Sequence, residues 1–123
     1  MEIGKLINAH DYNVAIRVDQ TGLAIVDASI THALFDDHVH ITRVNVPARH
    51  RKKGYGNQMM TKLCELLDRD HKCAWLEINA YGDMTESSLI KWYAKFGFHP
   101  DDEYAGVYTR QPKEVTNELS PAD

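Results

Sequence analysis

A basic segment that contains glycine is the part of the sequence best suited to bind an anion. Four basic residues fall within five positions and two glycines follow them: Arg49, Arg51, Lys52, Lys53, Gly54 and Gly56. At the start of a helix the first backbone N–H groups lack partners and carry the positive end of the helix dipole. Glycine lets a phosphate approach the main chain there. The segment is a candidate phosphate site, although a basic turn before a helix is more often a solvated surface.

A second group of residues has the chemistry of metal ligands. His38 and His40 form an H-x-H pair on one strand face, and three further candidates lie nearby: His32, Asp36 and Asp37. Neither cysteine nor helical ligand spacing accompanies them, and a strand beside a turn collects such residues by chance. We therefore expect no metal.

The two cysteines, Cys64 and Cys73, are too far apart in sequence for a C-x-x-C pair. Cys64 falls on the apolar face of a predicted helix, and Cys73 has only Lys72 and His71 beside it. Neither a disulfide framework nor an acyl-cysteine intermediate is expected, and reduced thiols suit a cytoplasmic protein.

The composition indicates one ordinary globular domain. The chain has 123 residues, of which 43% are hydrophobic, and 14 Lys+Arg against 18 Asp+Glu give a net charge of -4. This charge counts against a dedicated nucleic-acid binder. No apolar run approaches the roughly 18 residues that cross a bilayer, and the opening segment lacks the features of a signal peptide. We expect a protein that is neither membrane-spanning nor secreted.

Hydrophobic periodicity predicts the elements that position these residues. Strands over Tyr12 to Asp19 and Leu23 to Ile30 form a hairpin around the turn Gln20-Thr21-Gly22, and a second turn is expected near Asp36 and Asp37. A third strand covers His38 to Val46. Its alternation switches face near Thr42, which is what a β-bulge does.

The second half of the chain alternates helices and strands. A helix is predicted from Gly54 to about Asp70, and a strand from Ala74 to Asn79. Asp83 or Thr85 can cap a second helix that ends at Gly97. The remaining predictions are a last strand at Val107–Arg110, one domain over 1–112 and a flexible tail over 113–123.

Two segments of this order resemble the GCN5-related N-acetyltransferases, which transfer an acyl group from acyl-coenzyme A to an amine. Val44 to Gly56 is similar to the family's strand, turn and helix with the signature Q/R-x-x-G-x-G/A. Leu89 to Phe98 looks like its L-x-x-hydrophobic-Y-x-x-x-G-F helix. The pair is more specific than either motif, and the resemblance covers roughly Tyr12 to Pro112. It implies a mixed α/β fold: a twisted, mostly antiparallel sheet with a central splay and two main helices packed on it.

The resemblance also implies an acetyl-CoA site. Backbone amides around Lys52 to Gly56 would bind the diphosphate, Arg49 or Lys53 would reach the 3′-phosphate, and the pantetheine arm would run beside Val44 to Val46. The bulge would leave a backbone N–H that polarises the thioester carbonyl. The implied cofactor-binding residues are these: Val44, Val46, Arg49, Arg51, Lys52, Lys53, Gly54, Tyr55 and Gly56.

Two residues are candidates for proton transfer. Tyr93 matches the family's usual general acid, which protonates the departing coenzyme A thiolate; alternatively it only packs its helix on the sheet, with Trp92 as the other core candidate. His40 lies eleven residues before Arg51, where many members carry a catalytic Glu or His, and a neutral imidazole suits a base. Glu77, His38 and a water relay are the alternatives, and His40 is otherwise a half-buried strand residue.

The sequence departs from the family before the hairpin. Members usually place a strand and two helices there, but only about eleven residues precede Tyr12. The acceptor cleft is therefore either open, which suits a protein or peptide amine, or completed by another subunit in a homodimer; Tyr81-Gly82-Asp83-Met84 could line its acceptor side.

The expected function is acetyl-CoA-dependent transfer to a primary amine, small or macromolecular, by direct attack in a ternary complex. The alternatives are an inactive binding or regulatory module with the same fold, or an inhibitor that uses its basic patch on protein or nucleic acid. Acceptor identity and acyl-chain preference do not follow from the sequence.

Overall fold

The computed structural model describes residues 3–18, 22–31, 38–79 and 84–113. These residues form seven strands, two α-helices and a short 3-10 helix at Ala48–His50. The strands are β1 Lys5–His10, β2 Asn13–Arg17, β3 Leu23–Thr31, β4 His38–Asn45, β5 Cys73–Glu77, β6 His99–Pro100 and β7 Val107–Arg110. The helices are α1 Tyr55–Arg69 and α2 Glu86–Ala94.

All seven strands lie in one sheet, in the order β1-β2-β3-β4-β5-β7-β6. Only β4 and β5 pair in parallel, and the five other pairings are antiparallel. The predicted mixed α/β fold, with a mostly antiparallel sheet and two main helices, is confirmed. Neither described helix is long and apolar enough to cross a membrane.

The predicted hairpin is the β2–β3 pair, in which Val14 lies opposite Val26. Residues 19–21 and 32–37, which include parts of both predicted turns and the candidate ligands His32, Asp36 and Asp37, lie outside the described residues. The sequence did not predict β1 or β6. All six residues of β1 are exposed, so they do not alternate between core and solvent in the way that reveals a strand in a sequence. Strand β6 has only two residues, which are too few for a pattern.

The face switch in β4 is a bulge at Thr42. Asp27 of β3 lies opposite Arg43, but the next residue, Ala28, lies opposite Ile41, so Thr42 has no counterpart on β3. The Thr42 hydroxyl donates a hydrogen bond to the backbone oxygen of Asp27 at 3.1 Å, and the Arg43 guanidinium pairs with the Asp27 carboxylate. These contacts hold the extra residue outward, while Ile41 and Val44 both face the core.

Both helices pack on the same face of the sheet. Met59, Met60, Leu63 and Leu67 of α1 are fully buried, and they share one apolar cluster with Leu89 and Tyr93 of α2 and with the inward residues of the strands. The opposite face has half-exposed residues, among them His40 and Trp75. Among the described residues, no helix covers that face.

The ends of both helices follow local sequence signals. The Thr85 hydroxyl accepts a hydrogen bond from the Ser88 N–H at 3.1 Å and caps α2, whereas the alternative cap Asp83 lies outside the described residues. Gly97 follows α2 with φ +96°, and Gly54 precedes α1 with φ +88°. Both are left-handed conformations that glycine adopts at least cost.

Arg110 joins the far ends of both helices to β7. Its guanidinium donates two hydrogen bonds to the Asp68 carboxylate, at 2.9 and 3.1 Å, and a third at 2.6 Å to the backbone oxygen of Phe96. The Arg110 side chain is only 3% exposed. Burial favours a higher pKa for Asp68, but the hydrogen bonds from Arg110 and from the Lys113 N–H outweigh it and lower that pKa. The pair is therefore ionised and fully engaged at neutral pH.

Replacing Arg110 with Leu will destabilise the protein strongly, because the Asp68 carboxylate then keeps its charge but loses its ion-pair partner and retains only the hydrogen bond from the Lys113 N–H. We expect the free energy of unfolding to fall by about 3–5 kcal/mol, measured by urea denaturation at pH 7. Arg69→Leu is the matched control, because Arg69 pairs with Asp70 at the surface and its loss costs about 1 kcal/mol or less. Equal losses in the two variants would contradict the role of Arg110 as a clamp, the residue that joins the far ends of both helices to β7.

Tyr12 forms a second tie between the sheet and α1. Its hydroxyl donates a hydrogen bond of 2.8 Å to the Asp70 carboxylate just beyond the helix. Burial, followed by this hydrogen bond, raises the pKa of Tyr12 to about 12. Hydrogen bonds from Arg69 and then from Tyr12 lower the pKa of Asp70 to about 2.

The raised pKa of Tyr12 predicts a specific loss of stability at alkaline pH. In the unfolded chain the phenol ionises near pH 10, so its contribution is complete below that pH and is lost as the pH rises towards 12. Between pH 9 and 12 the wild type will lose about 2 kcal/mol more unfolding free energy than Tyr12→Phe. Tyr104→Phe, at an exposed position, will follow the wild type, and parallel pH profiles for wild type and Tyr12→Phe would refute the prediction.

Candidate active site

The sheet opens between β4 and β5. These strands pair only at His38–Cys73, Val39–Ala74 and His40–Trp75. Beyond His40, β4 continues beside β3, whereas β5 continues beside β7. The predicted central splay therefore begins directly after the His40–Trp75 pair.

Two cavities meet at this opening. The larger one, of about 510 Å³, lies between the end of β4, the start of α1 and the inner face of α2. The smaller one, of about 280 Å³, lies between the separated ends of β4 and β5. Val44, Leu89 and Tyr93 line both cavities.

The turn before α1 faces the larger cavity. Lys52 has φ +67° and Gly54 has φ +88°, so the chain reverses within three residues and α1 begins at Tyr55. The first turn of the helix closes with the Gln58 N–H donating to the Gly54 oxygen at 3.0 Å. The backbone N–H groups of residues 55–57 precede that bond and have no acceptor within the helix. This geometry suits an anion.

The basic residues divide into two groups. Arg51 and Lys52 line the larger cavity, and Arg51 also donates a hydrogen bond of 3.1 Å from Nε to the Val46 oxygen, which ties the turn to the end of β4. Arg49 and Lys53 are exposed and lie outside the lining of both cavities. Of the remaining predicted cofactor-binding residues, the cavity lining contains Val44, Val46, Gly54, Tyr55 and Gly56.

Gly56 allows α1 to approach α2 closely. A Cβ at this position would lie 3.1 Å from Trp92 Cζ2 and 3.7 Å from Val46 Cγ2. The Trp92 indole then donates a hydrogen bond of 2.7 Å to Asn57 Oδ1. The sequence predicted neither Asn57 nor Trp92 as a cavity residue, because nothing in the helical pattern distinguishes a side chain that bridges two helices from an exposed one.

Tyr93 lies where the two cavities meet. It is 9% exposed, and its ring packs edge-on against Trp92 and Phe98, with centroid separations of 4.9 and 5.8 Å. Tyr93, rather than Trp92, belongs to the buried core, and Trp92 packs against it. Tyr93 therefore both packs its helix on the sheet and lines the candidate site, so the two alternatives for this residue do not exclude each other.

The candidate bases occupy different places. The His40 ring stacks on the Trp75 indole, with centroids 3.8 Å apart and an interplanar angle of 2°. Neither cavity has His40 or His38 in its lining, whereas Glu77 lines the smaller one. Glu77 is exposed, and among the described residues its carboxylate takes part in no hydrogen bond or ion pair.

Neither thiol is activated as a nucleophile. Burial raises the pKa of Cys64 to about 11 and also raises the pKa of Cys73, so both are protonated at neutral pH. Within the described ranges, no group of three or more His, Cys, Asp or Glu side chains is placed to hold a metal ion.

Comparison with solved structures shows the same fold in three proteins of low sequence identity. The anti-CRISPR protein AcrVA5 aligns with TM-score 0.59 and 18% identity over 77% of this chain and 96% of its own. The ribosomal-protein-S18-alanine N-acetyltransferase from Escherichia coli aligns with TM-score 0.61 and 15% identity over 89% and 76%. Naa50 from Arabidopsis thaliana, solved with the bisubstrate analogue CoA-Ac-MVNAL, aligns with TM-score 0.59 and 16% identity over 82% and 73%. No curated protein sequence matches the chain.

A family comparison is more direct. The sequence model described as an acetyltransferase (GNAT) domain matches residues 9–100. That span contains the turn before α1, the opening between β4 and β5, and all of α2. The chain therefore belongs to the GNAT acetyltransferase family.

Proposed function

We propose that the protein is an N-acetyltransferase that passes an acetyl group from acetyl-CoA directly to a primary amine in a ternary complex. One observation carries the proposal: Tyr93 lines both cavities, so a thioester in the larger cavity and an amine in the smaller would meet beside one phenol. The proposed domain spans 1–112, and the protein would act in the cytoplasm without a metal; the tail predicted over 113–123 lies, after Lys113, outside the described residues.

The larger cavity has the size and chemistry for the cofactor. Its volume lies within the usual range for small-molecule sites. The diphosphate would bind the amides around Lys52 to Gly56, beside Arg51, and the pantetheine arm would run along Val44 to Val46, where β4 has no partner on the β5 side. The exposed Arg49 or Lys53 would reach the 3′-phosphate outside the cavity.

The reaction needs two proton transfers and a stabilised oxyanion. The neutral amine attacks the thioester carbonyl, the C–S bond breaks, and Tyr93 gives its proton to the sulfur. A phenol of pKa about 10 protonating a thiolate of pKa about 8.5 is uphill by only about 2 kcal/mol. A backbone N–H freed by the bulge at Thr42 would stabilise the oxyanion by about 3 kcal/mol.

The amine must lose a proton before it attacks. Its pKa of about 10.4 is far above the ordinary pKa of an imidazole or a carboxyl group, so direct transfer is costly and a water relay or a desolvated ammonium lowers the cost. His40 lies at the last paired position before the splay, on the face opposite the helices. Glu77 lines the smaller cavity and supplies negative charge for an ammonium. We retain both as candidate bases, His40 by resemblance and Glu77 by position.

The acceptor side supports a macromolecular amine. The described residues before β2 form the edge strand β1 and no helix, and none of the described helices forms, on the face opposite α1 and α2, a wall of the kind that resemblance to the family implies. A protein or peptide amine can reach such a face, and a second subunit in a homodimer is the alternative source of a wall. The described residues do not include 81–83, which could line this side.

Tyr93→Phe tests the general-acid role. The variant keeps the ring packing, so it will bind acetyl-CoA with unchanged affinity. It will release coenzyme A more slowly than the wild type by a factor of about a hundred or more. Affinity is measured by calorimetry, and thiol release by a chromogenic reagent with a panel of amines, peptides and nucleic acids. Tyr104→Phe, which removes an exposed phenol, will behave as wild type.

The outcomes of this experiment separate the candidate functions. Acetyl-CoA binding by the wild type without thiol release from any acceptor would favour a binding or regulatory module. Absence of acetyl-CoA binding together with binding of nucleic acid or a protein partner would favour the basic-patch alternative. Full turnover in Tyr93→Phe would remove Tyr93 from the mechanism.

Deletion of Thr42 tests the bulge. Without Thr42, the residues Ile41, Arg43 and Val44 follow one another on β4. Ile41 and Val44 both point to the core with Arg43 between them, so the regular alternation of a strand is restored. A chain without Thr42 can therefore fold with regular β3–β4 pairing, and it will bind acetyl-CoA but turn over about a hundredfold more slowly. Thr42→Ala, which loses only the hydroxyl contact to Asp27, will keep most of its activity; equal loss in both variants would contradict a role for the bulge.

A further inference from the structure

Asn57 links the turn before α1 to α2 through a single side-chain contact. It is the third residue of α1 and it lines the larger cavity. Its Oδ1 accepts a hydrogen bond of 2.7 Å from the Trp92 indole. The same indole lies against Gly56, the residue before Asn57.

This contact determines which way the carboxamide points. An indole N–H only donates, so the Asn57 atom that faces it must be the oxygen, and the NH₂ group must occupy the other arm. None of the described residues accepts a hydrogen bond from that NH₂ group. Two donors are therefore held beside a cavity whose rim also includes Arg51 and Lys52.

We propose that the Asn57 carboxamide binds the diphosphate of coenzyme A and that Trp92 is the positioning residue that orients it. The inference rests on the proposed function, because it takes an acyl-CoA as the ligand of the larger cavity. Amide N–H groups bind anionic oxygens without adding charge, and an amide whose oxygen is already engaged does not have to be reoriented on binding.

The geometry also gives Trp92 a function beyond packing. Its ring meets Tyr93 and Phe96 edge-on, at 4.9 and 5.3 Å between centroids. The side chain that orients Asn57 is therefore in contact with the proposed acid. Trp92 therefore lies between the turn before α1 and the Tyr93 phenol.

Asn57→Asp separates orientation from ligand binding. The carboxylate can still accept from the indole, so the junction between α1 and α2 is retained, but the two donors become negatively charged acceptors. We expect the dissociation constant for coenzyme A, measured by calorimetry on the full chain, to rise at least about tenfold. Asn57→Ala, which removes the donors without adding charge, should weaken binding about fivefold and preserves the test if Asn57→Asp does not fold.

Gln58→Glu is the matched control. It adds the same charge one residue later in the same helix turn, at an exposed position outside the cavity lining, and should change affinity by about twofold or less. Trp92→Phe keeps an aromatic ring but frees the Asn57 amide to rotate. It should raise the dissociation constant about threefold in the wild-type background, but leave it nearly unchanged in Asn57→Ala, where no amide remains to be oriented.

A second ligand identifies the phosphate concerned. Asn57→Asp should weaken the binding of 3′-dephospho-coenzyme A by the same factor as that of coenzyme A, because both carry the diphosphate. A loss confined to coenzyme A would place Asn57 at the 3′-phosphate and overturn the inference, as would equal affinities of Asn57→Asp and Gln58→Glu. Failure of the wild type to bind either ligand would overturn the proposed function itself.

Discussion

The separation of β4 from β5 is the constraint on which the candidate site depends. Three residue pairs hold the two strands together, and beyond His40 each strand keeps only its outer neighbour. Up to His40, the facing edges of β4 and β5 pair with each other in a continuous sheet. Within the gap these edges no longer pair with each other, so an extended ligand can bind there as a further strand. Leu89 and Tyr93 reach this gap from α2 and line both of its cavities. Packing of one helix thus determines what a ligand in the gap would contact.

The bulge at Thr42 and the clamp at Arg110 act on opposite sides of this gap. The bulge lets β4 keep an apolar face towards α1 while inserting one extra residue at the point where the strands separate. Arg110 holds β7, and through it β5, to the far ends of both helices. The two halves of the sheet are therefore fixed to the same helical layer although they hardly pair with each other. Both walls of the cleft are thereby attached to the helices.

Much of the fold could be predicted from the sequence because its signals are local. Helix α1, the β2–β3 hairpin, the end of α2 shortly before Gly97 and the bulge all follow from residue spacing or from a glycine. Strand β1 could not be predicted in this way, because its exposure depends only on its position at the sheet edge. The same limit applies to the site: the glycine-containing turn was visible in the sequence, whereas Asn57 became a candidate only through its contact with Trp92, 35 positions away.

By itself, the sequence determined the order of the elements, the face of α1 that is buried, and a turn suited to phosphate, since each depends on residues that are neighbours along the chain or along one helix. Only the tertiary structure decided which side chains share the gap. It placed Tyr93 between two cavities, stacked His40 on Trp75 outside them, and put Glu77 beside the smaller one. These placements depend on the angle and register at which distant elements pack, and the identity of a single residue carries no information about either.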